Sequence, residues 1–259
     1  MIPIVPRSQI RPCKGQSGIL LISAISTKST GSVRRFEERV AEFCGAGHAV
    51  AFSSGRSAFG ALLKALDYPR DSIVLMPSLN YPAMPLTVEQ CGLRVLWVPM
   101  SEKKLTPDFD KLEASQPGNA VALVWPNYFG SAGPMDEIRA YCGGRGLDLI
   151  EDSAHSLGAY YKGIHVGNFG RASIFSFETS KIVNTLGGGV VVTNDGAIHG
   201  RLLEIQSKLS PKSKFDVVKS VLKSYVSAAM TSTWGATLCM YPALAASREL
   251  HDELVNVLG

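Results

Sequence analysis

Leu147-Asp148-Leu149-Ile150-Glu151-Asp152, then Ile174-Phe175-Ser176-Phe177-Glu178-Thr179-Ser180-Lys181, then Gly187-Gly188-Gly189 is the stretch that decides the fold. The first segment is an apolar strand that ends on carboxylates. The second is a strand that delivers a lysine into a loop just before a glycine run. Working outward, the chain shows seven short β-like runs: His48–Ser53, Ser72–Met76, Arg94–Val98, Ala120–Trp125, Leu147–Glu151, Ala172–Phe177 and Gly189–Thr193. Several are continuous in Val, Ile and Leu, as strands covered on both faces are. Between them lie amphipathic patterns at Ala58–Leu66, Pro82–Gln90, Asp108–Ala114 and Met135–Cys142, and another precedes the first strand at Val33–Phe43. This alternation predicts an α/β fold with a mostly parallel, doubly wound, seven-stranded sheet flanked by helices. The last two runs are joined by only a short Gly-rich segment, so one edge is expected to depart from the parallel order.

The 259 residues, 46% apolar, suffice for one large domain with an appendage. The formal charge of +4, with no long basic block, gives no indication of nucleic-acid binding. Cys13, Cys44, Cys91, Cys142 and Cys239 are scattered, with no CxxC pair. That usage points away from structural zinc and toward a reducing cytoplasm. The N-terminal residues lack a signal-peptide pattern. The expected division is a large domain with an N-terminal arm over 1–205 and a helical appendage over 206–259. The appendage opens with Lys208, Lys212, Lys214, Lys219 and Lys223 and then carries no charge from Ser224 to Ser247. A helical segment packed on the domain or a partner is the leading expectation there. Peripheral membrane contact through 208–247 is an alternative, and a membrane span a weaker one, since Ser, Thr, Gly and Pro dilute the hydrophobicity.

In open α/β sheets, ligands bind beyond the carboxyl ends of the strands. That rule gathers Ser53-Ser54-Gly55, Pro77–Tyr81, Asn127 and Asp152 at one rim. A lysine shortly after an acid-tipped strand suggests pyridoxal phosphate, whose aldehyde a lysine holds as a Schiff base. Lys181 is the candidate; burial and nearby cations would leave its amine unprotonated part of the time. The pyridine nitrogen needs a carboxylate, and Asp152 is the candidate with Glu151 the alternative. Successive strand residues point to opposite faces, so only one of the two can reach the ring. The phosphate needs N–H groups and hydroxyls at a helix start. Ser54, Gly55, Arg56 and Ser57 open the helix at Ala58–Leu66, although a Ser-Gly pair there also reads as an ordinary N-cap. Ser176 and Ser180 offer further hydroxyls. Tyr81 could cover one face of the ring, and His155 could lie near its oxygen.

The order of these segments resembles the DegT/DnrJ/StrS family of sugar aminotransferases, pyridoxal phosphate enzymes of fold type I. The resemblance rests on Ala49-Val50-Ala51-Phe52-Ser53-Ser54-Gly55, Pro77-Ser78-Leu79-Asn80-Tyr81, Ile150-Glu151-Asp152-Ser153-Ala154-His155-Ser156-Leu157-Gly158-Ala159, Phe175-Ser176-Phe177 with Ser180-Lys181, and Gly188-Gly189-Val190-Val191-Val192-Thr193. It runs from about Phe36 to about Leu203. It implies that Lys181 is the Schiff-base lysine, Asp152 the pyridinium partner and Tyr81 the stacking aromatic. By the same resemblance Gly55, Arg56 and Ser176 hold the phosphate, and His155 sits beside the ring. Some dehydratases of the family carry histidine in place of the lysine, so Lys181 implies transamination. The implied reaction moves an amino group, with glutamate as donor, to a keto sugar linked to a nucleotide, and the implied assembly is a homodimer. Asn127, Ile182 and Gly187 depart from residues common in the family. No counterpart of the family's C-terminal small domain follows Leu203, which leaves a non-catalytic cofactor-binding paralogue as the rival expectation.

Overall fold

A computed structural model describes residues 30–210, apart from 102–104, 114–117, 179–180 and 186, together with scattered positions between 215 and 230. The expectations for the N-terminal arm and for most of 206–259 lie outside the described residues. The chain divides into two compact units, one of Lys28–Pro211 and one of Met1–Thr27 with Lys212–Gly259. The first contains everything described below.

Helix α1 (Thr30–Cys44) leads into β1 (His48–Phe52), α2 (Gly55–Leu66), β2 (Ile73–Pro77), α3 (Ala83–Gln90) and β3 (Arg94–Val98). There follow α4 (Phe109–Glu113), β4 (Ala120–Pro126), a 3-10 turn at Tyr128–Gly130, α5 (Met135–Arg145) and β5 (Asp148–Asp152). A hairpin of β6 (Tyr160–Tyr161) and β7 (Ile164–His165) precedes β8 (Ala172–Ser176), β9 (Gly189–Thr193) and α6 (Gly196–Ser207). The seven-stranded sheet has the order β1-β9-β8-β5-β4-β2-β3. The β8-β5-β4-β2-β3 block is parallel, whereas β9 runs antiparallel to both β8 and β1. The expected sheet and its irregular edge are both observed. Helix α6 runs across the 205/206 boundary, and the unit that holds the sheet extends to Pro211.

Alternation along the strands separates the two faces. Val74, Met76, Val124, Ile150, Ile174 and Val191 pack with Phe59, Leu62 and Leu66 of α2 and with Leu202 of α6. Their neighbours Leu75, Leu123, Trp125 and Leu149 pack on the opposite face with Ile138 and Cys142 of α5. Phe175, Val190 and Val192 join Val40 and Cys44 of α1 on that opposite face toward the β1 edge. A strand buried on both sides has no polar face to betray its direction. That explains why these strands read as continuous apolar runs.

This parity also sorts the site residues. Asp152 lies two residues beyond Ile150, and Ser176 two beyond Ile174, so both fall on the α2 side of the sheet. Glu151 follows Leu149 onto the other side.

Candidate active site

The carboxyl ends of β5 and β8 and the start of α2 form one floor. Ser54 is the N-cap of α2, with extended backbone (φ −161°, ψ 163°), and its Oγ accepts a hydrogen bond from the Ser57 N–H at 3.0 Å. Ser53 and Ser57 hydroxyls lie 3.1 Å apart, and those of Ser54 and Ser57 2.9 Å apart. The ordinary capping role of Ser54 is therefore real, and it consumes the Ser57 N–H that the sequence offered to a ligand. The N–H groups of Gly55 and Arg56 have no acceptor among the described residues, as expected of a helix's first turn.

Ser176 stands against this helix start: a side chain at Gly55 would meet Ser176 Cβ at 3.3 Å and Oγ at 3.5 Å. Gly189 pairs with both Ser176 and Phe52 and passes beneath the same turn. A Cβ there would lie 2.5 Å from Gly55 Cα, closer than any real contact. The glycine run thus lets β9 slide under the helix start. Small residues on three sides leave a cradle rimmed by N–H and hydroxyl donors, which suits a phosphate. The Arg56 side chain is exposed and without an ion pair among the described residues.

The two adjacent acids have different surroundings. Glu151 is fully buried (0% exposed) and accepts four hydrogen bonds. Oε1 takes the N–H groups of Phe169 (2.7 Å) and Gly170 (2.9 Å), and Oε2 takes the Gly167 N–H (2.9 Å) and Asn127 Nδ2 (3.2 Å). Burial raises its pKa, and those four bonds oppose the rise. Asp152, 8% exposed, has a single donor among the described residues, the Ala154 N–H at 3.1 Å. Burial raises its pKa as well; the Ala154 bond and the charge of Lys181 pull it down. Of the two, Asp152 is the buried carboxylate with room and cause to take a cationic partner. Glu151 is occupied in clamping the 167–170 loop, whereas Asp152 is not held in this way.

Lys181 sits in the loop between β8 and β9. The loop closes on Phe177, whose carbonyl accepts from the Thr185 N–H at 3.0 Å and the Gly187 N–H at 3.3 Å, while Phe177 N–H donates to the Gly188 carbonyl at 3.0 Å. Lys181 Nζ lies 2.9 Å from His155 Nε2. Burial lowers the lysine pKa, opposed by the charges of Asp152 and Glu178. Glu178 is a neighbour that sequence reasoning missed; its position three residues before the lysine was the available signal. The His155 pKa is lowered by burial and by the Lys181 charge.

Buried hydroxyls and an amide hold this arrangement from below. Asn127 Nδ2 also donates to Ser153 Oγ (3.1 Å), Ser173 Oγ to Ser153 Oγ (3.0 Å), and Ser156 Oγ to the Asn127 carbonyl (2.7 Å). Asn127, expected at the rim, thus also braces it from below, a role its position in the sequence does not signal.

Asp152, His155 and Lys181 are thus brought together, as are Ser54, Gly55 and Ser176. Tyr81 is not drawn into either group. It is 64% exposed, with its N–H on Asn80 Oδ1 and no ring contact among the described residues. Its loop reaches the site indirectly, through the Tyr128 hydroxyl that donates to the Leu79 carbonyl at 2.7 Å. The donor cradle, the under-compensated Asp152 and the half-buried amine fit pyridoxal phosphate. Among the described residues no cluster of His, Cys, Asp or Glu is suited to a metal, and no helix is long and apolar enough to cross a membrane.

Comparison with known proteins agrees with the fold and with pyridoxal phosphate as the cofactor. The chain is 31% identical over 186 residues to the GDP-perosamine synthase of Caulobacter vibrioides, covering 70% of this chain and 50% of that protein. It is 35% identical over 171 residues to the pyridoxal phosphate-dependent aminotransferase EpsN, assigned as putative, of Bacillus subtilis (64% and 44%). It is 29% identical over 182 residues to the GDP-4-keto-6-deoxy-D-mannose 3-dehydratase of Yersinia pseudotuberculosis (68% and 46%). The chain therefore spans about half the length of the curated relatives it matches. Among solved structures, DesI with its TDP-sugar product superposes with a TM-score of 0.71 at 29% identity, over 79% of this chain and 53% of that one. A GDP-4-keto-6-deoxymannose-3-dehydratase with a trapped PLP-glutamate geminal diamine gives 0.72 at 26%, over 82% and 58%. With a family model matching residues 21–228, the chain belongs to the DegT/DnrJ/EryC1/StrS aminotransferase family.

Proposed function

We propose that this chain binds pyridoxal phosphate and carries out amino transfer to a keto sugar linked to a nucleotide, with glutamate as the donor, in the cytoplasm. The observation that carries this reading is the meeting of Lys181, Asp152 and His155 beside the Gly55–Ser176 cradle. Bound there, the cofactor would supply an electron sink for the carbanion formed at the donor's α carbon. The Gly55 and Arg56 N–H groups and the hydroxyls of Ser54 and Ser176 hold its phosphate. Asp152 keeps the ring nitrogen protonated, an ion pair that relieves its own burial. His155 lies beside the ring; Tyr81, exposed and outside both groups, would have to turn inward to cover it. Lys181 would anchor the cofactor and would take and return the proton at the donor's α carbon. The retained lysine favours amino transfer over dehydration. Relatives named for GDP-perosamine synthesis support the nucleotide-sugar class.

Exposed Phe129 and Ile182 lie at this rim, at 81% and 78% exposure. A second copy of the chain covering them is the assembly proposed here; light scattering that gives a monomer at working concentration would refute it.

The test of the function is direct. Added pyridoxal phosphate should give a visible absorption band that Lys181→Ala lacks, and glutamate should bleach it with release of 2-oxoglutarate. No band in the wild type would overturn the cofactor reading. A band that glutamate leaves unchanged would favour the rival, a binding or assembly subunit without turnover.

A further inference from the structure

His155 has a place in this site beyond lying near the ring. Its imidazole is carried by a pinned turn: Ser153 N–H donates to the Ile174 carbonyl (2.9 Å), Ser156 N–H to the Ser153 carbonyl (3.0 Å), and Ser156 Oγ to the Asn127 carbonyl. A side chain at Gly130 would touch the His155 carbonyl at 3.5 Å, so the 3-10 turn closes the other side. Lys181, by contrast, is borne on the β8–β9 loop and has four flexible methylenes. At 2.9 Å, Nζ and Nε2 are at hydrogen-bond distance, and Nδ1 has no partner among the described residues. Two cations at that separation repel, so the contact holds only while the imidazole is neutral.

Resting on the cofactor reading above, we propose that His155 is a positioning residue for Lys181. Its neutral imidazole accepts a hydrogen bond from Nζ at Nε2 and holds the amine in the site whenever the lysine is not bonded to the cofactor. Among the described residues, the groups facing the pair are few. Lys181 is the charged group that faces His155; Asp152 from β5 and Glu178 from the β8–β9 loop face Lys181. The Tyr128 phenol, its own pKa raised chiefly by burial, faces Asp152. The depressed basicity of His155 keeps it neutral through the neutral range, which is the form the contact needs. Protonation at lower pH would release the lysine from its place.

Two measurements on the full chain test this. In cofactor-free protein the His155 imidazole is followed by NMR titration, assigned by its loss in His155→Gln. Its midpoint should rise in Lys181→Met, where the neighbouring ammonium is gone; an unchanged midpoint overturns the contact. The rate of pyridoxal phosphate capture is then read by stopped-flow absorbance from the neutral range down past the imidazole midpoint found by NMR. Glutamine accepts the same hydrogen bond, so His155→Gln should capture within about twofold of wild type, while His155→Ala should be slower by about tenfold or more, as misplaced reacting groups are. The wild-type rate should also fall below the imidazole midpoint, a limb that His155→Gln lacks. Capture by His155→Ala at the wild-type rate, or by His155→Gln as slowly as by His155→Ala, overturns the proposal. Absence of capture by the wild type would sink the cofactor reading instead, and the imidazole titration would still decide the contact.

Discussion

Neutralising the two adjacent acids should have opposite consequences. In Glu151→Gln the four donors around the carboxylate remain: three backbone N–H groups and Asn127 Nδ2. The amide NH2 must face two of them whichever way it turns, because each carboxylate oxygen accepts two. Two bonds to a charged acceptor are lost, each contributing about 1.5–3 kcal/mol. Relief from burying a charge offsets part of that, which leaves a net loss of about 2–4 kcal/mol. In Asp152→Asn the single Ala154 N–H can still be met by Oδ1, and the burial penalty disappears. The folded-state pKa of Asp152 is raised, so the folded chain binds more protons than the unfolded one and stability falls as pH rises through that range. The asparagine variant should therefore be at least as stable as wild type at neutral pH, and its advantage should vanish in acid. Urea denaturation of cofactor-free protein at two pH values measures both effects. Cofactor titration should show the converse, with Asp152→Asn binding pyridoxal phosphate much more weakly. A Glu151→Gln variant no less stable than Asp152→Asn would refute the division of labour between the two acids.

Other expectations are simpler. Gly189→Ala should place a methyl against Gly55, lowering stability by about 1–3 kcal/mol and weakening cofactor affinity; denaturation and titration read the two separately. Ser54→Ala removes the cap on α2 and should cost about 0.5–2 kcal/mol in urea melts. His165 is buried, accepts the Gly158 N–H at Nε2 (3.2 Å) and meets the Val166 carbonyl through Nδ1. Burial lowers its pKa, so its contribution is complete above the ordinary imidazole range and is lost as pH falls through it. A stability–pH curve for His165→Gln should lack that acid-side decline.

The sheet was legible because seven apolar runs punctuated by Gly, Pro and polar residues leave few other readings. The hairpin β6–β7 was not, since its strands have two residues each and its turn is Lys162-Gly163, both with positive φ, rather than an Asn-Gly pair. Helix α6 was missed although Asp195 caps it plainly, its Oδ1 accepting from the Ala197 and Ile198 N–H groups. In the site, spacing exposed the acid pair and the lysine. Which acid is spoken for depends on loop 167–170, far along the chain from β5 in conformation if not in number. The His155–Lys181 contact likewise joins two loops whose approach no periodicity encodes.

The placement of β9 has a consequence for how this site can change. Val190 and Val192 face the α1 side of the sheet and Val191 the α2 side, and the same strand closes the lysine loop and floors the cradle. Adding or deleting one residue between Lys181 and Gly189 would either spoil the Phe177 closure or slip the strand by one. A slip would exchange both valine sets between faces and move Gly189 from beneath the helix start. Loop length here is therefore fixed by the core, and variation in substrate has to be written elsewhere, at rims such as 77–82 and 127–133 that do not share a strand with the lysine.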